Sequence, residues 1–196
     1  MSQAAVAARE TGRLGIENRK LGMWIFLASE VMFFTGLIGA YIVLRQATPD
    51  WPVPRSILNI PLTALNTFLL ICSSATLVKG LASAQDGDRE GMQVGLFLTV
   101  LLGSLFLAIQ MHEYHELIHG KHFTPSSSIF GSCFFTLTGF HGAHVFIGVL
   151  CLIFVFIRSL RGHYTPADYR GIEIVGLYWH FVDLVWIILF TILYLI

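Results

Sequence analysis

Residues 129–157 read IFGSCFFTLTGFHGAHVFIGVLCLIFVFI, and no Lys, Arg, Asp or Glu interrupts them. Wound as an α-helix with a rise of about 1.5 Å per residue, the stretch is about 43 Å long. The hydrocarbon core of a bilayer is about 30 Å thick and needs about 20 apolar residues to cross. The run is too long for one strand and lacks period-two alternation, which disfavours a β-barrel. It reads as a membrane-spanning helix.

The same pattern continues on both sides. Residues 21–45, 57–79, 92–111 and 172–196 are four more mostly apolar runs of spanning length. The connectors between them break helices. Residues 46–56 (QATPDWPVPRS) are rich in Pro, which removes a backbone donor and clashes with the preceding turn. Residues 83–91 (SAQDGDREG) are charged and broken by Gly, residues 119–128 carry Pro125 and three serines, and residues 158–171 carry three arginines and Pro166. Composition agrees: 55% of the 196 residues are hydrophobic and 12% charged, against about 25% charged in soluble domains. Mean hydropathy is +0.71, far from the polar composition of a disordered chain. Lys plus Arg and Asp plus Glu number 12 each, so binding to nucleic acid has no electrostatic support. Cys72, Cys133 and Cys151 each lie inside an apolar run, which argues against a disulfide scaffold. The expected fold is all-α: a polytopic bundle of five transmembrane helices over residues 21–196, behind a tail of residues 1–20.

Orientation follows from the cations in the short loops. Placing the N-terminus inside puts nine Lys and Arg on the cytoplasmic face (Arg9, Arg13, Arg19, Lys20, Lys79, Arg89, Arg158, Arg161 and Arg170). The outer face then holds three, Arg45, Arg55 and Lys121. The expectation is N-terminus in and C-terminus out. Residues 1–20 contain no apolar core of a cleavable signal peptide. They read as a short cytoplasmic tail rather than as a transit peptide.

Ionisable residues inside the spans are the candidates for function, because a charge at the bilayer centre costs about 2.5–3.5 kcal/mol on insertion scales. Glu30 (WIFLASEVMFFTG) lies roughly 13 Å from the start of the first span with no cation near it in sequence. It is either a neutral acid bonded to a neighbouring helix for packing or a proton-linked carboxyl. His180 and Asp183 (YWHFVDLVW) share a face of the fifth span at matching depth. A polar contact between spans one and five is therefore expected, as a structural network or as part of a proton path. His141 and His144 (GFHGAHVFIG) share a face of the fourth span. They either ligate a metal or bond across helices beside small residues.

The densest cluster is MHEYHELIHGKH, residues 111–122, with His112, Glu113, His115, Glu116, His119 and His122. His115 and His119 have a metal-capable spacing, and Glu116-x-x-His119 matches that of di-iron carboxylate helices. By topology the cluster sits at the outer mouth of the third span, where a charged helix end emerging into water is the ordinary reading. Two function classes follow. A membrane di-iron hydroxylase or desaturase needs about eight converging histidines. The eight histidines here are dispersed between the outer loop, mid-membrane, His163 in the inner loop, and the fifth span. A non-catalytic subunit of a larger membrane complex fits that dispersion better. A transporter or channel ranks last, since five spans give no even inverted repeat.

Several segments together closely resemble subunit III of the haem-copper terminal oxidases. They are LGMWIFLASEVMFFTG (residues 21–36), LNTFLLICSS (65–74), GSCFFTLTGFHGAHVFIG (131–148) and YWHFVDLVWIILF (178–190), with QMHEYHE fitting the end of the third span. The Ser-Glu-Val at Glu30 looks like the cytochrome c oxidase branch, where this carboxyl reacts with carbodiimide; quinol oxidases of the superfamily tend to carry Asp. The resemblance implies a helical bundle in two parts around a lipid-holding cleft. It implies no catalytic residue and no metal in this chain. Haem and copper then belong to partner subunits, and phospholipid is the structural ligand. The implied partners are the catalytic subunit I, subunit II and membrane phospholipids. The implied role is to stabilise subunit I and sustain its proton uptake while the complex reduces O₂ to water and pumps protons. The mitochondrial form has seven helices, and five-helix versions are bacterial, which implies the bacterial cytoplasmic membrane. Glu30, His141, His144, Trp179, His180 and Asp183 lie on matching motifs.

Overall fold

The computed structural model describes residues 18–49, 51–52 and 54–196. Most of the expected tail, residues 1–17, lies outside the described residues. Five long helices form: α1 (Asn18–Ala47), α2 (Ile60–Asp86), α3 (Arg89–His115), α4 (Ile129–Leu160) and α5 (Arg170–Phe190). A one-turn helix, Pro54–Ile57, precedes α2, and α3 and α5 each run into a π-helical turn, Glu116–Gly120 and Thr191–Leu195. All five are long and apolar enough to cross a membrane. The chain is thus an all-α, multi-pass membrane bundle.

The helices overrun the apolar runs by a few residues, because caps rather than hydropathy set their ends. Asn59, Asp88 and Ser128 cap α2, α3 and α4 by accepting from the backbone N–H three residues on. Gly87 ends α2 in the left-handed region at φ 79°, where a side chain would be strained. The Arg89 guanidinium donates to the Leu160 carbonyl at 2.7 Å and satisfies the open end of α4.

α2 and α3 are the most intimately packed pair. A Cβ built on Gly95 would stand 2.6 Å from the Gly80 Cα, so the two backbones touch, as small residues permit between membrane helices. Thr76 and Thr99 share a hydrogen bond of 2.9 Å across the same seam. α4 packs on α3, and α5 closes the ring against α4 and α2. Two fully buried tryptophans of α5 fill the middle. Trp179 occupies the space that Gly103 and Gly148 leave open: a Cβ at either would come within 2.9 Å of its ring. Its indole N–H donates to Ser73 Oγ, and that of Trp186 donates to Thr67 Oγ1, both at 2.9 Å.

α1 stands outside this four-helix ring, packed on α4 and α5. Its buried residues are Leu27, Phe34 and Tyr41, seven apart, which makes a single narrow seam. Its two ends are clipped to the two ends of α5. Lys20 pairs with Glu173 at one end. At the other, Tyr41 donates to the Ile192 carbonyl at 3.3 Å and Arg45 to that of Ile196 at 2.7 Å. α1 and α5 therefore run parallel, as alternating spans require.

Candidate functional site

Between α1, α4 and α5 opens an apolar cleft of about 380 Å³, lined by Met23, Phe26, Ile147, Cys151, Val175 and Tyr178. Glu30 of α1 and His144 of α4 stand in its wall, with His144 Nε2 3.0 Å from Glu30 Oε2. Both side chains are under one-fifth exposed. His144 Nδ1 lies 2.7 Å from the Phe140 carbonyl, an acceptor, so Nδ1 carries a proton. The neutral ring then presents a bare Nε2, which accepts from the acid form of Glu30. If the ring is charged instead, Nε2–H donates to the carboxylate. Either way one proton is shared between the two side chains. The Phe34 ring meets the imidazole edge-on at 5.2 Å, and Tyr178 donates to the His144 carbonyl at 3.0 Å. These contacts hold the ring where Glu30 reaches it.

The expected contact between spans one and five through these polar groups does not form. His180 Nδ1 lies 3.2 Å from Ser74 Oγ on α2. Asp183 is buried, and its Oδ1 has no partner. Glu30, His180 and Asp183 match in depth by residue count, but Glu30 turns to α4 and His180 to α2. Nor do His141 and His144 act as a pair. His141 is wholly buried inside the ring, stacked on Trp186 at 4.7 Å and 26°. Neither of its nitrogens has a hydrogen-bond partner.

The cluster at the end of α3 also splits. His112, His115, Glu116 and His119 are exposed, as a helix end in water would place them. Glu113 departs from the outer-surface expectation and turns into the bundle. Its carboxyl takes the Tyr194 hydroxyl at 3.3 Å and lies 3.1 Å from Thr63 Oγ1. The helical repeat carries the signal for this inward turn. Met92, Leu96, Thr99, Gly103, Phe106 and Gln110 form the buried stripe of α3. Glu113 is its next member, one step of three beyond Gln110, and the four exposed residues are off it. Ser73 and Thr67, with the tryptophans they hold, form a polar seam that sequence reading misses, because apolar runs hide hydroxyls that bond across helices.

The sequence profile described as Cytochrome c oxidase subunit III matches residues 12–196. The chain belongs to the cytochrome c oxidase subunit III family. It is 40% identical over 196 residues to cytochrome c oxidase subunit 3 of Thermostichus vulcanus, covering 100% of this chain and 96% of that one. It is 42% identical over 177 residues to the probable subunit 3 of Nocardia farcinica, covering 90% and 87%. With subunit 3 of Loxodonta africana it shares 42% over 187 residues, covering 91% of this chain but 69% of the longer relative. A subunit III chain is a component of an oxidoreductase complex with other oxidase subunits and is not itself catalytic. Its polar sites are therefore not a reaction centre of their own.

Proposed function

We propose that this chain is the non-redox subunit III of a bacterial respiratory oxidase of the cytochrome c type, set in the inner membrane with its N-terminus in the cytoplasm. In this reading it packs against the catalytic subunit I, with subunit II in the same complex. It holds phospholipid acyl chains in the cleft between α1, α4 and α5, and it sustains proton uptake into subunit I. The haem and copper that reduce O₂ sit in the partners. The observation that carries the reading is the Glu30–His144 pair in the wall of an apolar cleft. The apolar lining suits acyl chains, and the shared proton gives the cleft one polar, proton-holding feature. Glu rather than Asp at position 30, and the names of the relatives, support cytochrome c over quinol as the donor. A di-iron hydroxylase would need converging ligands. Among the described residues no three His, Cys, Asp or Glu side chains come together.

The test removes the chain from the purified complex and follows O₂ consumption through many turnovers. The initial rate should be close to normal and then decay, while the complete complex holds its rate. A depleted complex that holds its rate as long as the complete one refutes the proton-uptake role.

A further inference from the structure

The histidines at the end of α3 have no place in the cleft. His115, Glu116, Leu117, Ile118 and His119 follow the H-E-x-x-H order, in which two imidazoles one helical turn apart face the same ion. Here the two rings stand side by side, stacked with centroids 4.5 Å apart and planes at 22°, so their in-plane lone pairs run alongside each other and a side-chain rotation turns both onto one ion. His119 Nδ1 lies 3.3 Å from the His115 carbonyl. A carbonyl only accepts, so in the neutral ring Nδ1 holds the proton and Nε2 keeps a free lone pair. That is the tautomer that metal-binding histidines adopt when the other ring nitrogen donates to the backbone. Glu116 stands between them in sequence and is exposed with both. The pair lies about 39 Å along α3 from Arg89, beyond the roughly 30 Å hydrocarbon core, so hydrated ions reach it.

We infer that His115 and His119 form a two-imidazole site for a divalent transition metal, of the zinc class, at the water-exposed end of α3. Among the described residues no three His, Cys, Asp or Glu side chains converge. The protein thus supplies two nitrogens, and water, or the Glu116 carboxylate after a rotamer change, completes the shell. Imidazole suits zinc, copper and nickel, and copper(II) binds such sites more tightly than zinc. The inference is of binding alone and is independent of the role of the cleft.

The test is equilibrium dialysis of Zn²⁺ into the assembled oxidase after chelator treatment, with the haem spectrum confirming that the complex is intact. The complete complex should take up one Zn²⁺ that His115→Ala and His119→Ala each weaken. Outer-shell partners of metal sites are worth about 10–100-fold in affinity, so loss of either ligand should weaken uptake at least about tenfold. His163→Ala, at the opposite end of the bundle, should leave uptake unchanged. Zinc-edge X-ray absorption of the loaded complex should show two imidazole nitrogens that fall to one in either variant. Uptake that neither variant changes, uptake that only one of them changes, or no uptake by the complete complex overturns the inference.

Discussion

Glu30 Oε2 and His144 Nε2 stand 3.0 Å apart with a single proton to share, because the other imidazole nitrogen is committed to the Phe140 carbonyl. A Gln at position 30 still offers an N–H to Nε2. Glu30→Gln should therefore leave assembly and electron transfer nearly intact while abolishing carbodiimide labelling of this chain. Intramembrane side-chain hydrogen bonds average about 0.6 kcal/mol in double-mutant cycles, and a cycle over Glu30→Ala and His144→Ala, read by thermal unfolding of the complex, should return a coupling of about that size. Immediate loss of O₂ reduction in an assembled Glu30→Gln complex places Glu30 on an obligatory proton path instead. The partner of Glu30 is not legible along the chain. Counting residues gives the depth of a side chain, and Glu30, His180 and Asp183 do match in depth. Which neighbour each one meets depends on rotation about the helix axis and on which helix stands there. Leu27, Phe34 and Tyr41 set that rotation for α1.

Among the helices, backbone approach separates the glycines that matter from those that do not. Gly95 has no room for a side chain, since its Cβ would lie 2.6 Å from the Gly80 Cα. Gly36 on α1 has nothing within 4 Å of the same position. Gly95→Ala should therefore destabilise the bundle by about 1–3 kcal/mol, the range for overpacking a close contact, seen as a lower Tm of the solubilised complex. Gly36→Ala should change stability by no more than about 0.5 kcal/mol. Equal shifts in Tm for both would show that the α2–α3 seam can open freely. The helices themselves are plain from apolar length and from Pro and Gly connectors. Their ends are not, because Asp88, Ser128 and Gly87 act through the backbone groups they cap or release. The inward turn of Glu113 is within reach of a helical repeat carried past Gln110.

The bundle as a unit is a four-helix ring with one peripheral helix. α1 touches the ring along one seam, while Trp24, Ile25, Val31, Met32 and Val43 are left exposed, to be covered by lipid or by another subunit. The proposed orientation rests on charge counted along the chain: the tail and loops assigned to one side carry nine cations and those assigned to the other carry three. Reporter fusions should place the loop after α2, near Gly87, on the cytoplasmic face and the C-terminal Ile196 on the periplasmic face. The reverse pattern refutes the orientation.

The class of the molecule, its five spans and its family are all readable along the chain. Those rest on local chemistry, because a bilayer demands about 20 apolar residues per crossing and a motif lies in contiguous residues. The folded bundle alone shows that Glu30 meets His144, that His180 meets Ser74, that His141 stacks on Trp186, and that Glu113 bonds Tyr194. Each of these joins residues far apart in sequence, in a medium without water to satisfy a polar group. Each group takes the nearest neighbour that the packing brings to it. That packing is set by where Gly80, Gly95, Gly103 and Gly148 let the helices and Trp179 come close, which no single helix reveals.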